Sequence, residues 1–335
     1  MNIDFAHAGD RAELLDFLYA VFLRKNPQHP RFEDLFPELF VDTDESMGRH
    51  AVIRENGRIA ACVGMYRMTL RIAGCEVPFV GIGQVSTGAD YLGRGFMSAL
   101  LKEQLRLARE EGAAFAWLGG RHDRYRRFGF DSAGLVFHYG LDARSVCEVP
   151  STREVARLPG NPADGLPDSV HALRERDGEI IVEPRATYLR RLLRTHYEVW
   201  TSTPAGASEP DAWALFAPEK SHIDELAGST EGCLEIVAAL ARQASGDVDV
   251  ALSPANHDLS EGLRRACRWV VPRMNMLSVL DLDRLLAAYA PLLPPGASVP
   301  SRDLSPGELA RICFGPERSS FPVQLPFHLA DHFHI

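Results

Sequence analysis

The chain has 335 residues, of which 46% are hydrophobic and 24% charged, a globular composition that excludes a disordered, collagen-like or disulfide-stapled protein. At this length two domains are expected, or one with a large extension. A net charge of −9 argues against a nucleic-acid face and favours a cationic or amine-bearing small partner, although solubility accounts for it equally well. Cysteines at 62, 75, 147, 233, 267 and 313 form no CxxC pair, which sets aside a zinc knuckle and suits reduced thiols in a cytoplasmic protein. The N-terminus has no basic segment followed by an apolar run, and no apolar stretch nears the roughly 18 residues of a membrane helix, so neither a signal peptide nor a membrane span is expected.

In chain order, Leu14, Leu15, Leu18, Val21 and Phe22 make one apolar stripe and predict a helix over 11–24. Residues 26–47 show no clear period. A β-meander follows: a strand over 50–54, a turn at Asn56-Gly57, a strand over 58–71, a turn at Ala73-Gly74, and a third strand over 79–87. A glycine loop then opens a helix whose predicted buried face is Met97, Leu100, Leu101, Leu105 and Ala108, with Gly112 as its C-terminal cap. Residues 113–118 read as a short strand broken by Gly119-Gly120, and LVFHYGL as another. The Pro/Gly/Ser-rich stretch 149–169 reads as a linker. Beyond it strands and helices alternate again as far as Leu293, followed by a Pro-rich tail over 294–335.

Chemistry concentrates between Phe79 and Phe130. Gly93-Arg94-Gly95 precedes a helix whose first turn has unpaired N–H groups. Glycines let the main chain approach an anion, and the helix dipole adds positive potential. That is a diphosphate cradle with Arg94 as an added charge; a tight turn with a packing glycine is the plain alternative. No Lys-Ser/Thr follows, so it is not a nucleotide P-loop. Tyr125 lies just before Gly129-Phe130, and a phenol with a pKa near 10 can hand a proton to a thiolate. Taken alone, Tyr125 is equally a half-buried structural tyrosine.

Together these segments resemble the GNAT superfamily of acyl-CoA N-acyltransferases, and within it the enhanced-intracellular-survival group. The resemblance rests on Val85-Ser86-Thr87 at a strand end, on Tyr91-Leu92-Gly93-Arg94-Gly95-Phe96-Met97, and on Tyr125-Arg126-Arg127-Phe128-Gly129-Phe130. It is specific over about residues 50–145 and topological beyond. It implies an α/β fold of the α+β mixed-sheet kind, with a catalytic GNAT domain over 1–148, the linker, a degenerate GNAT-like domain over 170–293, and a tail that is a remnant of a sterol-carrier-like domain. It implies acetyl-CoA as co-substrate and no metal. The main chain of Val85, Ser86 and Thr87 would pair with the pantetheine arm. The N–H groups of Gly93, Arg94, Gly95, Phe96, Met97 and Ser98 would hold the diphosphate, and Gly120 and Arg121 would border the thioester. Tyr125 would be the acid that protonates the departing thiolate.

Two positions depart from the group's pattern: Leu92 replaces Arg or Gln, and Met97 replaces a small residue. Many members carry a carboxylate where this chain has Gln84. The resemblance therefore offers the C-terminal carboxylate of Ile335 as base, with His122, Asp123 or a water relay as alternatives. His328, Asp331, His332 and His334 could make a metal cluster, but a packed tail with partly exposed histidines is the simpler reading. The leading function is acetyl transfer to a primary amine, on a small molecule or a peptide, by direct attack in a ternary complex. A non-catalytic acyl-CoA sensor and a purely structural tandem protein stand as alternatives. The acceptor is open, and so is a homo-oligomer; no nucleic acid or membrane partner is expected.

Overall fold

The computed structural model describes residues 2–317 and 321–330. One mixed sheet runs through it. Its strands are β1 (Asp4–Phe5), β2 (His50–Glu55), β3 (Arg58–Ile72), β4 (Cys75–Thr87), β5 (Phe115–Leu118), β6 (Asp131–Leu141), β7 (Glu154–Arg157), β8 (Ile180–Ile181), β9 (Glu198–Thr203), β10 (Ala212–Ala217), β11 (His222–Gly228), β12 (Val248–Leu252) and β13 (Trp269–Val279). The spatial order is β1-β2-β3-β4-β5-β13-β6-β12-β11-β10-β9-β7, with β8 paired to β3.

The meander forms as its turns dictate. Asn56 and Gly57 have φ of 52° and 74°, the two left-handed positions a tight hairpin needs, and Ala73-Gly74 repeats the device at 49° and 76°. The third strand begins at Cys75, earlier than its apolar run suggests, because pairing with β3 continues to the turn. Among the described residues only two neighbour pairs are parallel, β4 with β5 and β11 with β12. Each is bridged by a long helix, Phe96–Glu110 in the first half and Thr230–Gln243 in the second. The halves also exchange their last strands: β13 lies between β5 and β6, and β6 pairs on its other edge with β12. The stretch read as a linker is thus not free of structure, since it supplies β7, which closes the far edge against β9.

Alternation of side chains gives the first half two cores. On one face the helix Phe96–Glu110 buries Phe96, Leu100, Leu101 and Leu105 against Ile53, Val63, Met65 and Ile82. Met97, expected in this stripe, is only partly buried, while Gln104 is fully buried and donates from Nε2 to the Val63 carbonyl at 2.9 Å. On the opposite face the helix Arg11–Leu23 sets Leu14 and Leu18 over Val52, Cys62 and Tyr66. Beside it the C-terminal segment covers Phe79, Phe115 and Trp117 with Leu309, Phe314, Leu325 and Phe327.

The tail is therefore part of the core of the first half. The helix Pro306–Phe314 starts with Ser305 capping Glu308 N and the Glu308 carboxylate accepting from Ser305 N at 2.8 Å, a reciprocal box that fixes the helix start. His328 is buried and bonded through Nδ1 to Glu179 at 2.9 Å, so it is not a partly exposed histidine. Asp331, His332, His334 and Ile335 lie outside the described residues. No helix among the described residues is long and apolar enough to cross a membrane.

Candidate acyl-CoA site

The sheet opens at β4. It pairs with β5 only from Phe79 to Ile82, while on its other edge it stays against β3 as far as Thr87. Register against β3 shifts opposite Cys62 and Gly64, and Gln84 there takes a left-handed φ of 49°. Past this bulge the β5-facing edge of Val85, Ser86 and Thr87 has no strand partner among the described residues. Such an edge is a ready slot for an extended ligand that carries amides.

The helix Phe96–Glu110 starts beside that slot. Gly93 and Gly95 have φ of 79° and 80°, and Gly95 is an N-cap with no side-chain cap. A Cβ at either would touch nothing, so glycine is required there by backbone conformation and not by space. The first-turn N–H groups are left open at the positive end of the helix dipole.

A groove of about 520 Å³ joins the two features. Val85–Thr87, Gly93 and Gly95–Ser98 line it, so the predicted pantetheine and diphosphate segments come together. Leu92 also lines it, 61% exposed. Arg94 does not. Its guanidinium pairs with Glu55 at 2.9 Å and lies over the rings of Phe96 and Tyr91 at 4.6 and 5.6 Å. The hairpin end of β2 brings that carboxylate within reach, so the charge expected from Arg94 is already spent. The groove's positive charge comes from Arg24, Lys25, Arg124 and Arg127, none of which the sequence singled out. Arg127 donates to Ser98 Oγ at 3.2 Å, beside the open helix end. The Lys25 pKa is lowered by partial burial and by the nearby Arg124 and Arg24, the mark of crowded cations.

Tyr125 stands behind these residues. It is 5% exposed, with its ring edge-on to Phe130 at 6.4 Å, and it is not itself among the groove-lining residues. Burial raises its pKa, and the neighbouring Arg124 pulls the other way. The phenol therefore stays protonated at neutral pH. Gly120 is exposed and lies against the ring: a Cβ there would sit 2.7 Å from Tyr125 Cε2. Gly120→Ala is expected to tilt the ring and lower turnover while leaving acetyl-CoA affinity nearly intact; rate and binding assays on the variant check this. Arg121 is exposed and held by Asp123, with Nε to Oδ1 at 3.0 Å.

Two of the candidate bases are engaged by neighbouring side chains. His122 bonds Asp131 at 3.0 Å, and Asp123 is committed to Arg121. Gln84 is buried, and its carboxamide contacts Tyr66 Oη, which also bonds His50 Nε2 at 2.9 Å. His50 Nδ1 donates to the Met47 carbonyl at 3.0 Å, and burial pushes the ring pKa down to about 4. His50 is thus neutral in the folded protein and ordinary when unfolded. The unfolded chain binds the extra proton first, so this site is expected to withdraw up to about 3 kcal/mol of stability as pH falls from 6.5 to 4. Urea unfolding across that range measures it, and His50→Gln should lack that part of the loss. No group of three metal-ligating side chains occurs among the described residues.

A bulged β4 parting from β5, an uncapped glycine-led helix beside it and a buried tyrosine behind define the acyl-CoA N-acyltransferase class of fold. Residues 2–133 match the family model described as an acetyltransferase (GNAT) domain. An uncharacterized N-acetyltransferase of Streptomyces coelicolor is 32% identical over 151 residues, 43% of this chain. The match spans about a third of that relative, 35% of its length. Among solved structures, a GCN5-related N-acetyltransferase from Kribbella flavida superposes with a TM-score of 0.64 at 19% identity, over 86% of this chain and 74% of its own. Eis1 from Mycobacterium abscessus does so with 0.61 at 19%, over 86% and 76%. At these identities the shared property is the fold, and with 86% of this chain covered it extends into the second half.

Proposed function

We propose that the protein transfers an acetyl group from acetyl-CoA to a primary amine by direct attack in a ternary complex. The observation that carries this is the convergence, in one groove, of an unpaired strand edge and an open helix end, with Tyr125 behind the wall. The pantetheine amides would add to Val85–Thr87 as a strand, and the diphosphate would sit on the first-turn N–H groups. That positions the carbonyl for an amine held alongside. The C–N bond forms as the C–S bond breaks, Tyr125 gives its proton to the sulfur, and the phenolate recovers a proton from the new ammonium through water. Gln84 offers no carboxylate, so the amine must lose its proton to solvent, to a relay, or to the carboxylate of Ile335, the residue the family resemblance suggests.

Calorimetry with CoA and thiol release from acetyl-CoA with an amine panel test the reading. Binding together with amine-dependent thiol release supports it. The absence of any binding removes it. Gln84 in place of an acid favours a second reading, a non-catalytic acyl-CoA sensor, and tight binding with no transfer to any amine would select that one.

A further inference from the structure

The chain carries a net charge of −9, yet Arg24, Lys25, Arg124 and Arg127 converge on the groove, and no Asp or Glu is among the residues that line it. Many arginines elsewhere are matched by carboxylates, as in Arg94 with Glu55, Arg54 with Asp10 and Arg174 with Glu225. Among the described residues these groove cations have no such partner; no carboxylate figures among the charges acting on Lys25, only Arg124 and Arg24.

They divide into two groups along the groove. Arg127 bonds Ser98 at the helix end, where a diphosphate would lie. Arg124 directly precedes Tyr125 in the short helix His122–Tyr125 and its charge acts on Lys25, and Lys25 sits with Arg24 at the end of the helix Arg11–Leu23. This second group stands at the tyrosine end, where the co-substrate is a neutral pantetheine thioester. Uncompensated like charges gathered at a neutral stretch call for an anion from the other substrate. They would also repel a polycation.

We propose that Arg24, Lys25 and Arg124 form an acceptor subsite for an amine bearing an anionic group, a carboxylate or a phosphate, close to the nitrogen that is acetylated. The inference rests on the acyltransferase reading above. It reverses the expectation drawn from overall charge, because the local field at the groove is opposite in sign to that of the chain.

The test is steady-state acetylation of matched pairs: glycylglycine against glycylglycinamide, O-phosphoethanolamine against ethanolamine, with spermidine as the polycation. The anionic member of at least one pair is expected to have a kcat/KM about tenfold or more higher, the size of one partly screened charge contact. The carboxylate and phosphate pairs show which group fits. Lys25→Glu should raise the KM for that anionic acceptor by about tenfold or more and move the KM for acetyl-CoA far less. Lys25→Arg, which keeps the charge, should rescue it. Equal or better use of the neutral partners or spermidine overturns the inference and leaves acyl transfer standing. So does a Lys25→Glu effect confined to acetyl-CoA, which would assign these cations to the coenzyme's phosphates. Thiol release with no member of the panel, beside intact CoA binding, overturns both the inference and the catalytic reading.

Discussion

Tyr125→Phe is expected to lower kcat about 10–100-fold, the low end of what a positioned acid contributes. The KM for acetyl-CoA should change little, because the groups proposed to hold the coenzyme are main-chain N–H and C=O of Val85–Thr87 and Gly93–Ser98. The pH profile carries the same information. Burial raises the Tyr125 pKa, so the phenol keeps its proton through neutral pH and gives it up only above its ordinary value near 10. Wild-type kcat should therefore fall only at strongly alkaline pH, and the Phe variant should lack that limb. Stopped-time thiol assays over a pH series measure both effects. An unchanged rate would remove Tyr125 from the mechanism and shift the burden to solvent or to Arg124.

Phe327→Ala is expected to cost about 3–5 kcal/mol of stability, the range for deleting a fully buried aromatic side chain. Phe327 is 0% exposed, and its ring meets Phe115, Phe79 and Phe314 edge-on at 5.4, 6.0 and 6.4 Å. Its removal leaves a void between the sheet and the helix Pro306–Phe314, and neither wall can close it without moving the other. That is a large share of the roughly 5–15 kcal/mol that holds a typical domain folded. Urea midpoints compare Phe327→Ala with Phe327→Leu, which should cost clearly less. A loss below about 1 kcal/mol would mean the tail is a surface strap and not part of the core.

The two results bear on one point of architecture. The tail covers the face of β4 and β5 opposite the helix Phe96–Glu110, and those strands carry the slot and the bulge. Arg311 also pairs with Asp131, which in turn holds His122 next to the tyrosine segment. Loss of the tail should thus reach the site through the strands that shape it.

Local signals were enough for much of the first half. Asn56-Gly57 declared its hairpin because few residue pairs accept two left-handed positions in a row. The spacing of Leu100, Leu101, Leu105 and Ala108 declared the helix, and Gly93 and Gly95 its open end. Met97 was misplaced because periodicity marks a stripe and not its edge, and the groove opens at that edge. β11 escaped notice because His222, Asp224 and Glu225 break any apolar alternation. They are buried all the same, because Asp249, Tyr197 and Arg174 meet them with hydrogen bonds and charge.

By itself, then, the sequence determined what neighbours along the chain decide: the meander, the glycine-led helix end, the tyrosine segment and the order of main-chain groups able to grip a coenzyme. Only the tertiary structure decided what distant residues decide together. It exchanged β6 and β13 between the halves, put the tail into the core, and tied Arg94 to Glu55. It also brought Arg24 and Lys25 to the same groove as Arg124 and Arg127. The reason is physical. Backbone geometry and side-chain periodicity act over a few residues, whereas Coulomb energy and burial depend on distance in space, which no spacing along the chain records.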